Sequence, residues 1–288
     1  MSTRPEFGVV CLPVLDLRAR PDHASEMTSQ LLLGEVVDVV SRADRGRWLR
    51  VRNHADGYRG WVREWGIIGA SRERARRWLA RARVRVAAVS EVALARPGTG
   101  IAVSPLGWGA RLIGRGRSRG HREVELPDGR RGWIRWGAVA SIGARPMGLI
   151  ERIESLIGVP YLWGGRSSAG LDCSGFTQLV LAEQGIRLPR DAHDQHRVCR
   201  RLGPRSTPRP GDLIFFGDPR RKRAHVGLYL GTGYYAHSRG RVRVASIETS
   251  SPLYDNMLMD NYRGISRPAS GWRPEHSRIA LTRFPELS

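Results

Sequence analysis

The chain has 288 residues, 41% of them apolar, and a net charge of +21. That composition supports packed cores and excludes intrinsic disorder, and no stretch approaches the roughly 20 apolar residues a bilayer-spanning helix needs. Three cysteines are too few and too odd for a disulfide framework, and the cations, all arginine except Lys222, are spread along the chain rather than gathered into a nucleic-acid footprint.

Residues 1–26 do not read as a signal peptide, because Pro13 and Asp16 break the apolar segment and no small-residue cleavage site follows. The expectation is a cytoplasmic protein. Cys11 lies in an apolar, strand-like run and Cys199 in an Arg-rich stretch; both read as structural, and no Cys/His spacing suggests zinc. An internal echo follows. Residues 56–66 read Asp-Gly-Tyr-Arg-Gly-Trp-Val-Arg-Glu-Trp-Gly, and residues 128–137 read Asp-Gly-Arg-Arg-Gly-Trp-Ile-Arg-Trp-Gly. Each follows a short alternating segment, residues 48–52 and 123–126. An Asp-Gly turn before Gly-Trp-Val/Ile is a hairpin signal, and its repetition predicts two copies of a small β-barrel. The pattern resembles bacterial SH3-like domains. Residues 73–85, rich in Arg and Ala, predict a linking helix, and the Gly and Pro of residues 142–148 mark a boundary. The expected domains are 1–72, 73–145 and 146–288.

In the third region Leu149, Ile153, Leu156 and Ile157 recur at helical spacing, and the pattern ends near Gly158 and Pro160. A second helix starts at Cys173, carries Phe176, Leu179 and Val180 on one face, and stops at Gly185. A polar connection leads to strands over 212–216, 226–230, 234–237 and 241–247. Helices followed by antiparallel strands predict an α+β domain.

Cys173 follows a glycine-rich loop and opens a helix, where unpaired N–H groups and the positive dipole end favour a thiolate. His225 opens one strand and His237 closes the next, so a hairpin would bring both to one end of the sheet. If the cysteine helix crosses that sheet, the order is nucleophile, base, orienter. The expectation is a thiolate–imidazolium pair with the Cys173 backbone N–H as oxyanion donor. Taken singly, a helix-start cysteine and a strand-end histidine are more often structural; their joint arrangement points to catalysis. Asp212 reads as a turn residue, and the basic run 220–223 as a solvated loop.

Tyr161-x-Trp-Gly-Gly, Asp172-Cys-Ser-Gly-Phe176, Leu188-Pro-Arg-Asp191 with Gln195, Pro210-Gly-Asp-Leu213 with Phe215-Phe216, His225-Val-Gly-Leu-Tyr229 and Ala236-His-Ser238 resemble, in order, the NlpC-type cysteine peptidases of bacterial cell-wall peptides. The likeness covers about residues 148–267. It implies a papain-like NlpC catalytic domain preceded by two small SH3-like β-barrels, with Cys173, His225 and His237 catalytic. Ser25-Glu-Met-Thr-Ser-Gln30, Leu33-Gly-Glu35 and Asp56-Gly-Tyr-Arg-Gly-Trp61 resemble the first SH3-like domain of the YkfC-like γ-D-glutamyl-L-diamino acid endopeptidases, the dipeptidyl-peptidase VI group. Those enzymes cut murein peptides with a free N-terminal L-Ala. The resemblance implies that Tyr58 and Glu26 help recognise that terminus. Asp172 and Glu26 would supply negative charge, Ser174 and Tyr58 hydrogen bonds, and Tyr161 and Trp163 pocket walls. Trp163 reads equally as core packing, and Tyr58 also as an ordinary barrel tyrosine. The implied partner is a murein peptide, with no metal or organic cofactor, no nucleic acid and no membrane. Three alternatives stay open: an exported endopeptidase or amidase acting on intact peptidoglycan, a non-catalytic wall-binding SH3-like protein, and a nucleic-acid binder explained by charge.

Overall fold

Each echoed Asp-Gly turn closes a hairpin, and the two hairpins sit in seven-stranded antiparallel sheets of the same strand order. The computed structural model describes residues 5–217 and 224–269; the basic run 220–223 and residues beyond 269 lie outside the described residues. The chain divides into two compact units between Arg145 and Pro146.

In the N-terminal unit the first sheet comprises β1 (Phe7–Val10), β2 (Val14–Arg18), β3 (Met27–Leu32), β4 (Val36–Ala43), β5 (Trp48–Asn53), β6 (Arg59–Arg63) and β7 (Ile67–Ala70). Its order is β3-β2-β6-β5-β4-β1-β7. A helix, α1 (Arg72–Arg81), leads to β8 (Val84–Val86), β9 (Ser90–Arg96), β10 (Thr99–Gly107), β11 (Arg111–Ser118), β12 (His121–Glu125), β13 (Arg131–Arg135) and β14 (Val139–Ser141). The second order, β10-β9-β13-β12-β11-β8-β14, repeats the first strand for strand. Alternation carries the packing. Val62 and Ile134, the third residues of the Gly-Trp-Val and Gly-Trp-Ile segments, are buried in the two cores, each worth about 1.5–3 kcal/mol of transfer free energy.

The helix α1 forms because Ser71 caps it, accepting from the Arg74 N–H at 3.2 Å, and because Ala75, Trp78 and Leu79 bury one face. The Trp78 indole N–H donates to the Gly34 carbonyl at 2.9 Å, tying the helix to the first sheet.

The C-terminal unit begins with α2 (Leu149–Leu156), the short pair β15 (Arg166–Ser167) and β16 (Gly170–Leu171), and α3 (Cys173–Glu183). Then come α4 (Ala192–Val198), β17 (Cys199–Arg201), β18 (Leu213–Phe216), β19 (His225–Gly231), β20 (Tyr234–Arg239), β21 (Arg241–Ser246), α5 (Asn256–Met259) and β22 (Tyr262–Pro268). The last strands form an antiparallel sheet ordered β17-β22-β18-β19-β20-β21, with α3 packed on β19 and β20. This is the α+β architecture expected. Three local readings change. The polar connection after α3 contains α4 and β17, and β22 adds a strand between β17 and β18. His237 lies inside β20 rather than at its end. And α3 is buried on every side except at Ala182, not on one face. Its polar side chains are therefore satisfied internally: Glu183 pairs with Arg152 of α2 at 2.6 Å, and Gln178 accepts from Arg166 at 2.6 Å.

Candidate active site

Asp172 is the N-cap of α3. Its carboxylate accepts the Gly175 N–H at 2.7 Å, which leaves Cys173 as the first helical residue. Gly175 has to be glycine, since a Cβ there would sit 2.2 Å from the Gly165 carbonyl oxygen. Cys173 is buried, and the Val226 backbone, next along from His225, hydrogen-bonds its sulfur.

The two histidines meet. His225 Nε2 lies 2.8 Å from His237 Nδ1. The register explains it. His237 is the partner of Gly227 across β19–β20, so it stands diagonal to His225 on a face that Gly227 leaves open. Because Nε2 of His225 is spent on His237, Nδ1 is the ring nitrogen left for the thiol. His237 is fully buried, and its Nε2 accepts from Arg243 Nε–H at 3.2 Å. The Arg243 guanidinium also donates to Asp255 at 2.6 Å, and Arg239 donates to the same carboxylate at 2.9 Å.

Burial dominates the electrostatics of the thiol and of the His225 ring. Burial pushes the Cys173 thiol up to about 12, with the Asp172 charge adding to it and the Val226 backbone and Arg190 opposing. Burial pulls His225 down to about 4, helped by Arg239 and Arg243 and opposed by Asp255 and Asp172. Desolvation disfavours both charged forms. Burial therefore works against a thiolate–imidazolium pair, while the Val226 backbone and Arg190 favour the thiolate.

Among the anticipated pocket residues, Asp172 and Ser174 are held in one buried cluster. Arg190 clamps Asp172 through Nη1–Oδ1 at 3.0 Å and Nη2–Oδ2 at 2.6 Å, and also donates to Ser174 Oγ at 2.8 Å. The Ser174 hydroxyl donates to Asp172 at 3.2 Å. The Asp172 charge is therefore already balanced, and a ligand ammonium would have to share it. Tyr161 is half-buried; burial raises its hydroxyl pKa, and the fields of Cys173 and Asp172 reach it. Trp163 is 58% exposed, so it is not core. Glu26 and Tyr58 belong to the N-terminal unit. There Glu26 is exposed just before β3, and Tyr58 packs half-buried on the first barrel core. Asp212 is a turn residue, accepting from the Arg209 N–H at 2.8 Å and pairing with Arg267. Among the described residues, no group of three or more His, Cys, Asp or Glu is placed to hold a metal ion.

Three residues with no role in the sequence reading enter this site: Arg190, Arg243 and Asp255. A signal existed for Arg243. The β20–β21 hairpin turns at Gly240, and residues equally spaced from it, His237 and Arg243, are register partners.

Comparison with known proteins matches two segments of the chain. Residues 158–263 match the NlpC/P60 family and residues 17–67 match the bacterial dipeptidyl-peptidase Sh3 domain. The chain is 28% identical over 270 residues to a gamma-D-glutamyl-L-lysine dipeptidyl-peptidase of Bacillus cereus (strain ATCC 10987 / NRS 248), covering 88% of this chain and 78% of that protein. It is 42% identical over 92 residues to a Bacillus subtilis (strain 168) protein of the same name, covering 31% of each. A solved NlpC/P60 family protein from Bacillus cereus ATCC 10987 shares the fold with a TM-score of 0.75 at 22% identity, covering 91% of this chain and 98% of that one. The chain contains an NlpC/P60 domain at residues 158–263, preceded at residues 17–67 by a bacterial dipeptidyl-peptidase Sh3 domain.

Proposed function

We propose that this chain is a cysteine peptidase that hydrolyses the γ-D-glutamyl–diamino acid bond of murein peptides carrying a free N-terminal L-Ala. Its broad class, a cysteine-type cell-wall peptidase, is supported by the NlpC/P60 domain and by the named relatives. The observation that carries the chemistry is the His225–His237 pair beside the helix-start Cys173. In the proposed reaction the Cys173 thiol gives its proton to His225 Nδ1 and the sulfur attacks the γ-carbonyl. The backbone N–H of Cys173 meets the oxyanion. The tetrahedral species collapses to a thioester, the diamino acid leaves with the proton from His225, and water releases L-Ala-γ-D-Glu.

Specificity for a free amine is proposed from the relatives' names and from the resemblance that assigns Glu26 and Tyr58 to the substrate terminus. The two barrels (1–72 and 73–145) and the catalytic region (146–288) are the proposed functional divisions. We further propose a role in recycling wall peptides in the cytoplasm; among the described residues no helix is long and apolar enough to cross a membrane. The test is a mass-spectrometric digest. Wild type should release L-Ala-γ-D-Glu from L-Ala-γ-D-Glu-meso-diaminopimelate, Cys173→Ala should fall to background, and N-acetylation of the L-Ala should block cleavage. Unchanged turnover by Cys173→Ala would end the catalytic reading, and equal cleavage of the acetylated peptide would end the specificity.

A further inference from the structure

We propose that Arg243 sets the tautomer of the His237–His225 pair and, in the geometry seen here, holds that pair in the form that cannot take a proton from Cys173. This rests on reading Cys173 and His225 as nucleophile and base. A guanidinium offers donors only and keeps its Nε proton. Arg243 Nε–H points at His237 Nε2 at 3.2 Å, so that nitrogen presents its lone pair. His237 is neutral: burial, then the fields of His225, Arg243 and Arg239, push it down to about 2. A neutral imidazole with a bare Nε2 carries its proton on Nδ1. That Nδ1–H donates to His225 Nε2 at 2.8 Å. His225 Nε2 is then an acceptor, and the proton of neutral His225 sits on Nδ1, the nitrogen left for the thiol. A nitrogen that already bears a proton cannot act as base.

The contact is built into the fold. His237 and Arg243 are cross-strand partners. Asp255 anchors Arg243 at 2.6 Å and Arg239 at 2.9 Å, and it caps α5 through the Leu258 N–H at 3.2 Å. One carboxylate thus faces two guanidiniums, leaving an excess positive charge beside the imidazoles. Among the described residues, the Asp172 charge also reaches His225. The Arg243 side chain is 38% exposed, so solutes reach it.

The substrate class proposed above brings carboxylates. One that reaches Arg243 draws Nε–H off His237 Nε2. The shared proton then moves from His237 Nδ1 to His225 Nε2, a water proton arrives at His237 Nε2, and the proton on His225 Nδ1 leaves to water. His225 Nδ1 is then free to accept from the thiol, with the proton count unchanged. Arg243 is a positioning residue that acts through His237.

Heteronuclear NMR of the imidazole nitrogens in the full-length protein reads the tautomers directly. In wild type both His225 and His237 should be protonated on Nδ1, because a charge-assisted hydrogen bond biases such an equilibrium by roughly ten- to a hundredfold. In Arg243→Met both protons should move to Nε2, and kcat/KM on L-Ala-γ-D-Glu-meso-diaminopimelate should rise by about tenfold. A proton on His237 Nε2 in wild type overturns the proposal, as does a fall in kcat/KM in Arg243→Met with its tautomers switched. If that variant does not fold, the wild-type spectrum still decides. A wild type that cuts nothing but shows Nδ1 protons on both rings would remove the peptidase reading and keep the tautomer assignment.

Discussion

The two N-terminal barrels share a strand order and a hairpin, yet they fill one equivalent position in opposite ways. The β4–β5 pairing sets Arg52 opposite Asp38, and the corresponding β11–β12 pairing sets Glu125 opposite Ile113. In the first barrel Asp38 is 1% exposed; its Oδ2 accepts Arg52 Nε at 2.9 Å and its Oδ1 contacts His54 Nε2 at 2.7 Å. In the second barrel Ile113 is plain core, Glu125 meets Arg115 and Arg131 near the surface, and Pro127 stands two residues after Glu125, as His54 does after Arg52. The same topology therefore accepts an ionic cluster or an apolar side chain there. Turn chemistry and alternation specify the barrel, and the buried charges are an addition to it.

The strongest way to break this contrast is to strand a charge. Arg52→Met leaves Asp38 buried with only His54 beside it. The expected loss is about 3 kcal/mol, the low end for breaking a buried pair because one partner remains. Glu125→Gln should cost within about 1 kcal/mol, as for partly exposed pairs. Chemical denaturation of each variant checks both, and equal losses would mean the two positions are not different in kind. Replacing the buried pair by apolar side chains, with Asp38→Ile and Arg52→Leu together, should be neutral or stabilising.

A pH series sharpens the same point. Burial pushes the Asp38 carboxyl up, but the hydrogen bond and charge of His54, then those of Arg52, outweigh it and hold the group below its ordinary value. With the folded pKa depressed, the stabilisation is complete above the unfolded value of about 3.9. It declines as pH falls below that and is gone beneath the folded value. Wild type should lose stability through this acid window, and Asp38→Asn should lose less across it. Parallel curves would remove Asp38 from the account.

What could be read from the sequence follows from how local its cause is. The Asp-Gly turns and the Gly-Trp-Val and Gly-Trp-Ile alternation act within a few residues, so both barrels were visible. The helix start at Cys173 and the hairpin that joins His225 to His237 were visible for the same reason. The edge of the catalytic sheet was not. Cys199-Arg-Arg and the residues of β22 look polar, and they become strands only by pairing with each other and with β18. Gln195 looked like loop but is fully buried, its amide donating to the Ser174 and Pro189 carbonyls at 3.0 Å. Spacing brought helix start and imidazoles together but carried no information about dielectric, so the burial that opposes both charged forms was not legible. Arg190 sat in a quoted motif without a role, because a buried charge is legible only through its partner.

The smallest effect is expected at the Asp-Gly turns, where the barrels are most alike. The Tyr58 N–H donates to Asp56 Oδ1 at 3.0 Å, and the Arg130 N–H donates to Asp128 Oδ1 at 3.0 Å. Backbone and turn are matched, so Tyr58→Arg gives the first barrel the second barrel's residue without disturbing the turn. Stability should change by about 1 kcal/mol or less, from lost packing of a half-buried ring. If Tyr58 contributes one hydrogen bond to the free amine of a murein peptide, KM should rise by roughly five- to tenfold with kcat held. Arg130→Tyr should alter neither, since Arg130 is exposed and spends its guanidinium on Asp128 and the Val103 carbonyl. Steady-state kinetics on the free and N-acetylated peptides separates the cases. If both substitutions shift KM alike, the turn residue is not what distinguishes the barrels, and the proposed role of Tyr58 at the substrate amine falls.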